Sequence, residues 1–428
     1  MKIISRSLKV LTGIVTGFLC FNAAPGVEAA AAENFSAPTL RRSVSHFNWS
    51  YYDILPKDKN LFYSPYSIDT ALSLLANGAA GQTKQELCQA LGVNALNALN
   101  EDQLAFQRHL QKDYGEDITL ATANMLLVNK DQARKGIGRD FKKTAQKYYG
   151  AETRVADFAR RLDKEKENIQ KWVDKNTNHF MPDYRSIATK NTVADLLNVI
   201  YFQGVWEMPF QEEWTKSDFF TCVSGQKSRV DMMRRTFERE VAYYADDKYQ
   251  GVVLPYGFKR PKKNAVPSLA AMYLILPKQE KNLTLGTDWS KEPLNYRQEF
   301  LQNMRKAPKY RGEVDVMLPK LNLDLDNAIA DNLKAMGIEQ AFERSAQFPH
   351  IIPQEKIAID NVEHRAKLKI DEQGTEAAAI TEISMVGTTA APTEAAPYIP
   401  FFCNRPFLLV ICDAATEVEL FTGLINEQ

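Results

Sequence analysis

Asp371-Glu-Gln-Gly-Thr-Glu-Ala-Ala-Ala-Ile-Thr381 decides how this chain is read. It joins a β-like run, Ala366 to Ile370, to a tract of small residues with few bulky side chains before Met385. Such a tract makes a poor core and a poor amphipathic helix, but it can slide into a sheet without a clash. As an added strand it alternates faces with every residue. Thr375, Ala377, Ala379, Thr381 and Ile383 then share one side, and Glu376, Ala378, Ile380, Glu382 and Ser384 share the other. Both carboxylates fall together, so no charge is buried if the first face turns inward. Gly374 gives the backbone a hinge free of Cβ hindrance. Without its flanks, the tract reads as an ordinary surface loop. About twenty residues on, Phe402-Cys-Asn-Arg-Pro-Phe407 leads into the apolar run Leu408 to Cys412.

The 428 residues are 45% hydrophobic and 25% charged, with zero formal net charge. That is a globular composition with ample material for a large core. Zero net charge argues against nucleic-acid binding, which calls for a basic excess. The basic clusters Arg234-Arg235 and Lys259 to Lys263 read as solvated loops.

Lys2, Arg6 and Lys9 precede the apolar stretch Val10 to Ala24, which is too short to span a bilayer comfortably. With Val27-Glu-Ala29 as cleavage site, residues 1–29 read as a signal peptide and the mature protein as exported, secreted or periplasmic. Cys20 follows Gly-Phe-Leu, a poor context for lipid attachment. No other segment reads as membrane-spanning. Residues 30–43 read as a flexible N-terminal arm. Cys88, Cys222, Cys403 and Cys412 remain, too few for a disulfide scaffold, and read as buried free thiols. Asn34, Asn48 and Asn282 open glycosylation sequons that matter only in a eukaryotic host.

No long Gly/Ser- or Pro-rich linker divides the chain before 386–400, which favours one large domain. Ile68, Ala71, Leu72, Leu75 and Ala76 recur at helical spacing behind Ser64-Pro65, predicting a well-buried helix. Thr83-Lys-Gln-Glu86 has the capping-box pattern, with Gly92 as the C-terminal stop. Asp163 to Asn178 predicts a charged surface helix with Ile169, Trp172 and Val173 on one face, lying on something flat. Asp326 to Met336 predicts another helix, stopped by Gly337. Strand-like runs fall at 119–128, 197–202, 269–276, 312–318, 365–370, 407–412 and 419–421. Helices and strands mix without regular alternation, which favours α+β.

The five histidines form no zinc-hydrolase motif, and no Gly-x-Ser-x-Gly elbow, phosphate loop, Cys-x-x-Cys or dinucleotide fingerprint is present. The sequence offers no catalytic residue, no metal site and no cofactor site.

Several stretches in order resemble the serpin family. They are Asn60 to Ile68, Asn198 to Trp206 with Pro209-Phe210 and Thr215, Leu318-Pro-Lys320, Met336 to Phe342, the hinge at 371–381, Asn404-Arg-Pro-Phe407 and Leu420 to Gly423. The likeness runs from about residue 44 to 426, making 44–428 a single domain. It implies a large central β-sheet with additional sheets, about eight or nine helices and an exposed reactive loop at about 372–401. It also implies a metastable monomer. A target protease would cut the loop and be trapped as a covalent acyl-enzyme while the loop inserts into the sheet. On this likeness the loop hinge is Glu372, Gly374, Thr375, Glu376, Ala377, Ala378 and Ala379, and the sheet-opening cluster is Ser64, Ser67, Asn198, His364 and Trp206. Counting from Glu372 as the family does places the reactive bond between Thr388 and Thr389, with Met385 or Val386 before it if the bond sits earlier. No Arg or Lys lies between Gly374 and Phe402, which disfavours a trypsin-like target and suits an elastase-like or subtilisin-like one. A cysteine protease, or a non-inhibitory carrier, storage or chaperone role, are the alternatives. Two departures stand out: a loop long for the family with Pro392, Pro397 and Pro400, and a C-terminus without the usual final proline.

Overall fold

A computed structural model describes residues 36–114, 118–257, 269–281, 283–353, 356–375 and 397–428. The first elements are α1 (Pro38–Ile54), β1 (Leu61–Tyr63), α2 (Pro65–Gly78), α3 (Gly81–Ala90), α4 (Leu96–Asp113), β2 (Ile118–Asn129), α5 (Arg139–Tyr149) and β3 (Glu152–Ala156). Then come α6 (Phe158–Asn176), β4 (Ala194–Val205), β5 (Lys216–Thr221), β6 (Lys227–Glu238), β7 (Ala242–Ala245), β8 (Tyr249–Tyr256) and β9 (Ala270–Pro277). The remainder is α7 (Leu285–Lys291), α8 (Leu294–Lys306), β10 (Glu313–Pro319), β11 (Leu321–Ala328), α9 (Ala330–Ala335), β12 (Asn361–Asp371), β13 (Gly374–Thr375), β14 (Ile399–Phe402), β15 (Phe407–Asp413) and β16 (Glu419–Ile425).

Three sheets organise these strands. The main one runs β11-β12-β13-β4-β2-β3, a second β1-β16-β15-β9-β8-β7, and a third β14-β10-β6-β5. The expected α+β architecture is therefore present, with nine α-helices among the described residues. The helix α2 is buried along almost its whole length, because apolar side chains surround it with few polar interruptions. It packs against β4 and β16 and so fills the space behind the main sheet. On the outer face, Ile169 and Val173 of α6 join Leu197, Val199 and Tyr201 of β4 in a separate apolar cluster.

Five expectations change. Arg234-Arg235 is not a solvated loop but part of β6, where the Arg234 guanidinium is held by the buried Asp315 carboxylate. The reading of 30–43 as an arm fails from Pro38 onward, where α1 begins. Proline suits the first helical turn, and the Asp102 carboxylate, 63 residues away, caps it by accepting from the backbone N–H of Thr39 at 2.7 Å. The capping box at Thr83 is not formed. Helix α3 starts two residues earlier, and Thr83 Oγ1 accepts from the Gln347 N–H instead. Asp326 to Ala328 belong to β11, whose register with β12 runs from Leu321↔Ile370 to Ala328↔Glu363; only Ala330–Ala335 is helical before Gly337. Cys222 is half-buried, whereas Cys88, Cys403 and Cys412 are buried; all four are free.

Candidate functional site: the hinge and the polar hub of the main sheet

Strands β4 and β12 are parallel and pair directly from Asp195↔Asn361 to Tyr201↔Lys367. Beyond that they separate, and β13 sits between them. Thr375 pairs with Ile370 on one side and with Gly204 on the other; Gly374 pairs with Asp371 and Val205. The hinge thus enters the sheet as a two-residue wedge, antiparallel to both neighbours.

Gly374 is required there. Its φ is +149°, and a Cβ would lie 2.2 Å from the Gly204 carbonyl oxygen. Thr375 is fully buried and points inward, its Oγ1 2.8 Å from the Tyr256 hydroxyl. The Tyr256 ring stacks on Trp206 at 4.3 Å. Trp206 closes the group by donating from Nε1 to the Asp371 carbonyl at 3.0 Å and from its backbone N–H to the Gln373 carbonyl at 2.9 Å.

Glu372 anchors the start of the wedge. Lys320 Nζ lies 2.8 Å from its carboxylate, and the Thr215 hydroxyl donates to it at 2.6 Å. The Phe210 N–H donates to its carbonyl at 2.8 Å. Burial pushes the Glu372 carboxyl up, but the Lys320 and Thr215 hydrogen bonds more than offset this, leaving it below its ordinary value.

Further down the same strands lies the polar hub. His364 of β12 faces Asn198 of β4, with Nδ1 2.6 Å from the Asn198 Oδ1. The Ser64 N–H donates to Nε2 at 3.1 Å. An imidazole that receives at Nε2 and faces an oxygen at Nδ1 is the neutral Nδ1–H tautomer. Burial alone pulls its pKa down to about 3, which agrees with that assignment. The Asn198 amide donates to the Ser67 carbonyl at 2.9 Å, the Ser67 hydroxyl at 2.6 Å and Asn124 Oδ1 at 2.7 Å. Ser64 Oγ caps α2 by accepting from the Ser67 N–H and itself donates to the Leu420 carbonyl at 2.6 Å. Two strands, one helix start and the second sheet are thereby joined through four side chains.

The structure brings Ser64, Ser67, Asn198 and His364 together. Trp206 is not in that hub. It stands eight residues on, just past the end of β4 and about 26 Å away at ~3.3 Å per residue, and belongs with Glu372, Gly374 and Thr375. Glu376, Ala377, Ala378, Ala379, Thr388 and Thr389 lie outside the described residues. Sequence reasoning did not single out Asn124, Tyr256 or Lys320 as site residues. Lys320 stands in a quoted motif, but its partner is 52 positions away; Asn124 and Tyr256 carry no local signal. Among the described residues no cluster of three or more His, Cys, Asp or Glu is placed to hold a metal, and no helix is long and apolar enough to cross a membrane.

Residues 42–427 match the family described as Serpin (serine protease inhibitor). The chain is 31% identical over 401 residues to alpha-1-antiproteinase 2 of Equus caballus, covering 92% of this chain and 87% of that protein. It is 28% identical over 397 residues to Iripin-2 of Ixodes ricinus, covering 91% and 93%. Tengpin, a thermophilic serpin solved in its native state, superposes with a TM-score of 0.78 at 23% identity, covering 95% of this chain and 98% of that one. Human thyroxine-binding globulin, solved in complex with thyroxine, superposes with a TM-score of 0.75 at 22% identity, covering 91% and 99%. At these identities the structural likenesses speak for the fold. The family match speaks for more: with its three sheets, its wedge and its hub set inside the matched span, the chain belongs to the serpins, a family whose members are generally protease inhibitors rather than enzymes.

Proposed function

We propose that this chain is an exported, monomeric suicide inhibitor of a serine protease with an elastase-like or subtilisin-like pocket. The protease cuts the Thr388–Thr389 bond and is held as an acyl-enzyme while the loop inserts between β12 and β4. One observation carries the reading: β13 already occupies the first two positions of such a strand, with Thr375 turned to the core. Continuing its register gives the inserted product. Ala377 meets Leu368 and Phe202, Ala379 meets Ala366 and Ile200, and Thr381 arrives between His364 and Asn198. Those sheet residues are all buried, and the loop residues that meet them are small and uncharged. A dozen new ladder bonds at about 0.5–1.5 kcal/mol each supply a driving force for that product.

The same register amends one sequence argument. On the outer face Glu376 meets Lys369, which is exposed, whereas Glu382 meets Glu363 and Leu197, which are buried. Insertion therefore brings one carboxylate into a covered site.

Incubation with elastase or subtilisin should yield an SDS-stable complex, and trypsin should yield none. Turnover of the loop by every protease tried, with no stable complex, would overturn the proposal. A carrier or storage role predicts that cleavage leaves the melting temperature unchanged; inhibition by insertion predicts a large rise. A cysteine protease target would show as a stable complex with that class alone.

A further inference from the structure

The outer face of β4 and β12 carries a feature that the hinge and hub do not use. Asp195 on β4 and Glu363 on β12 are both buried, at 0% and 3% exposure. Asn361 is paired with Asp195 and Glu363 with Leu197, so the two acids are diagonal neighbours on one face across the line where the sheet must part. Glu363 is well supplied with donors: the Tyr184 hydroxyl at 2.5 Å, the Ser186 hydroxyl at 2.9 Å and the Ile187 N–H at 3.2 Å. Asp195 receives no N–H or O–H from any described residue at either oxygen, and the acid set beside it on the same face is Glu363. Two carboxylates can share such a contact only with a proton between them. Burial, and then Glu363, push Asp195 well above the ordinary carboxyl range.

The surroundings reinforce the link. The segment 177–193, which joins α6 to β4, supplies all the donors to Glu363 and also meets β12 through Asp183 to Arg365 at 3.2 Å and the Phe180 carbonyl to Lys367 at 3.3 Å. Asp360, just before β12, accepts from the Val193 and Ala194 N–H groups at the start of β4. The charged groups facing the pair are Asp360, which disfavours its ionisation, and Lys166 of α6, which favours it. Arg365, on the same face of β12, is taken up by Asp183 and Asp324.

We propose that Asp195 and Glu363 form a proton-held latch across β4 and β12 that sets how readily the main sheet parts. With one shared proton the pair ties the strands. Once both acids ionise they repel across the same line, while parting lets each regain water. Opening at neutral pH thus releases about one proton, so the closed state is held most firmly in acid and loosens as pH rises. The inference uses the insertion reading to say why parting matters, but its test needs neither protease nor loop cleavage.

Native-state hydrogen exchange on the intact protein, corrected for the intrinsic rate, reads the opening directly. From pH 6 to 9, protection of the amides at 195–201 and 361–367 should fall by up to about tenfold per pH unit, the limit for a single proton. The strands β8 and β9 serve as the internal control and should not follow. Asp195→Asn and Glu363→Gln should each flatten the profile. Tyr184→Phe removes a donor to Glu363 and should move the fall to higher pH. A flat wild-type profile, or equal slopes in wild type and both amide variants, would overturn the latch. Because the wild-type profile is decisive alone, a variant that fails to fold does not rescue the idea. An SDS-stable complex with no pH-dependent opening would sink the latch and leave the inhibitory reading intact; the reverse result would do the opposite.

Discussion

His364 and Asn198 face each other across β12 and β4, with imidazole Nδ1 2.6 Å from amide Oδ1. This contact is the inner counterpart of the acid pair on the outer face. Parting the strands breaks it, and under the proposed insertion Thr381 would enter the gap.

His364→Ala should therefore leave the Ser64 N–H and the Asn198 Oδ1 buried without partners. Each orphan costs about 1–3 kcal/mol. The urea midpoint should drop accordingly, and the uncleaved variant should convert faster on warming to a form with higher melting temperature. A variant with an unchanged midpoint would remove the hub from any part in holding the sheet closed.

The hinge anchor gives a graded pair of variants. Glu372→Gln keeps an acceptor for Thr215 but loses the charge opposite Lys320, whereas Glu372→Ala loses both. Lys320 is 40% exposed, so solvent screens the ionic part. A loss of a few tenths of a kcal/mol is expected for the amide and about 1–2 kcal/mol for the alanine variant. Trp206, which bonds to the Asp371 carbonyl, should report the loosened wedge as a shifted fluorescence emission in the alanine variant.

Face parity gives the sharpest test of insertion. Under the proposed insertion, Ala377→Glu would place a carboxylate against Leu368 and Phe202, both in the core, and the variant should behave as a substrate, with normal cleavage and no stable complex. Glu376→Ala, on the outer face opposite exposed Lys369, should inhibit about as well as wild type. Glu382→Gln should raise the melting temperature of the cleaved form at pH 8, since it removes a carboxylate beside Glu363. Equal behaviour of the 376 and 377 variants would contradict the register.

Asp69 supplies a pH prediction. It is fully buried on α2, accepts from the Ser43 hydroxyl at 2.5 Å and Ser73 at 3.4 Å, and burial raises its pKa to about 7. A carboxyl whose folded pKa lies above its unfolded value contributes stability that is whole below about 3.8 and lost as pH climbs through about 7. Asp69→Asn should therefore melt higher than wild type at pH 8.5, by the equivalent of about 2–4 kcal/mol, with the gain shrinking as pH falls below about 7 and gone only below about 3.8. Glu419, raised to about 7 by burial, acts in the same direction. His364, lowered to about 3, acts oppositely: its contribution is whole above about 6.5 and drains away as pH falls toward 3.

What the chain determined by itself is local. The buried stripe of α2, the stop at Gly92 with its φ of +63°, the strand-like runs of β2, β4, β9, β12 and β15, and the two-faced reading of the tract after Gly374 follow from side-chain character, spacing and backbone freedom. Spacing along a strand also sufficed to say which hinge residues share a face. The tertiary structure decided that Thr375 turns inward, because that depends on Tyr256 meeting it from another sheet. It also decided that Asp102 would cap α1, that Asp326 to Ala328 would pair with β12 rather than open a helix, and that Asp195 would meet Glu363 from 168 positions away. Hydrogen bonds and burial between distant segments leave no periodic trace in either segment alone, so they exist only once the sheet has been assembled.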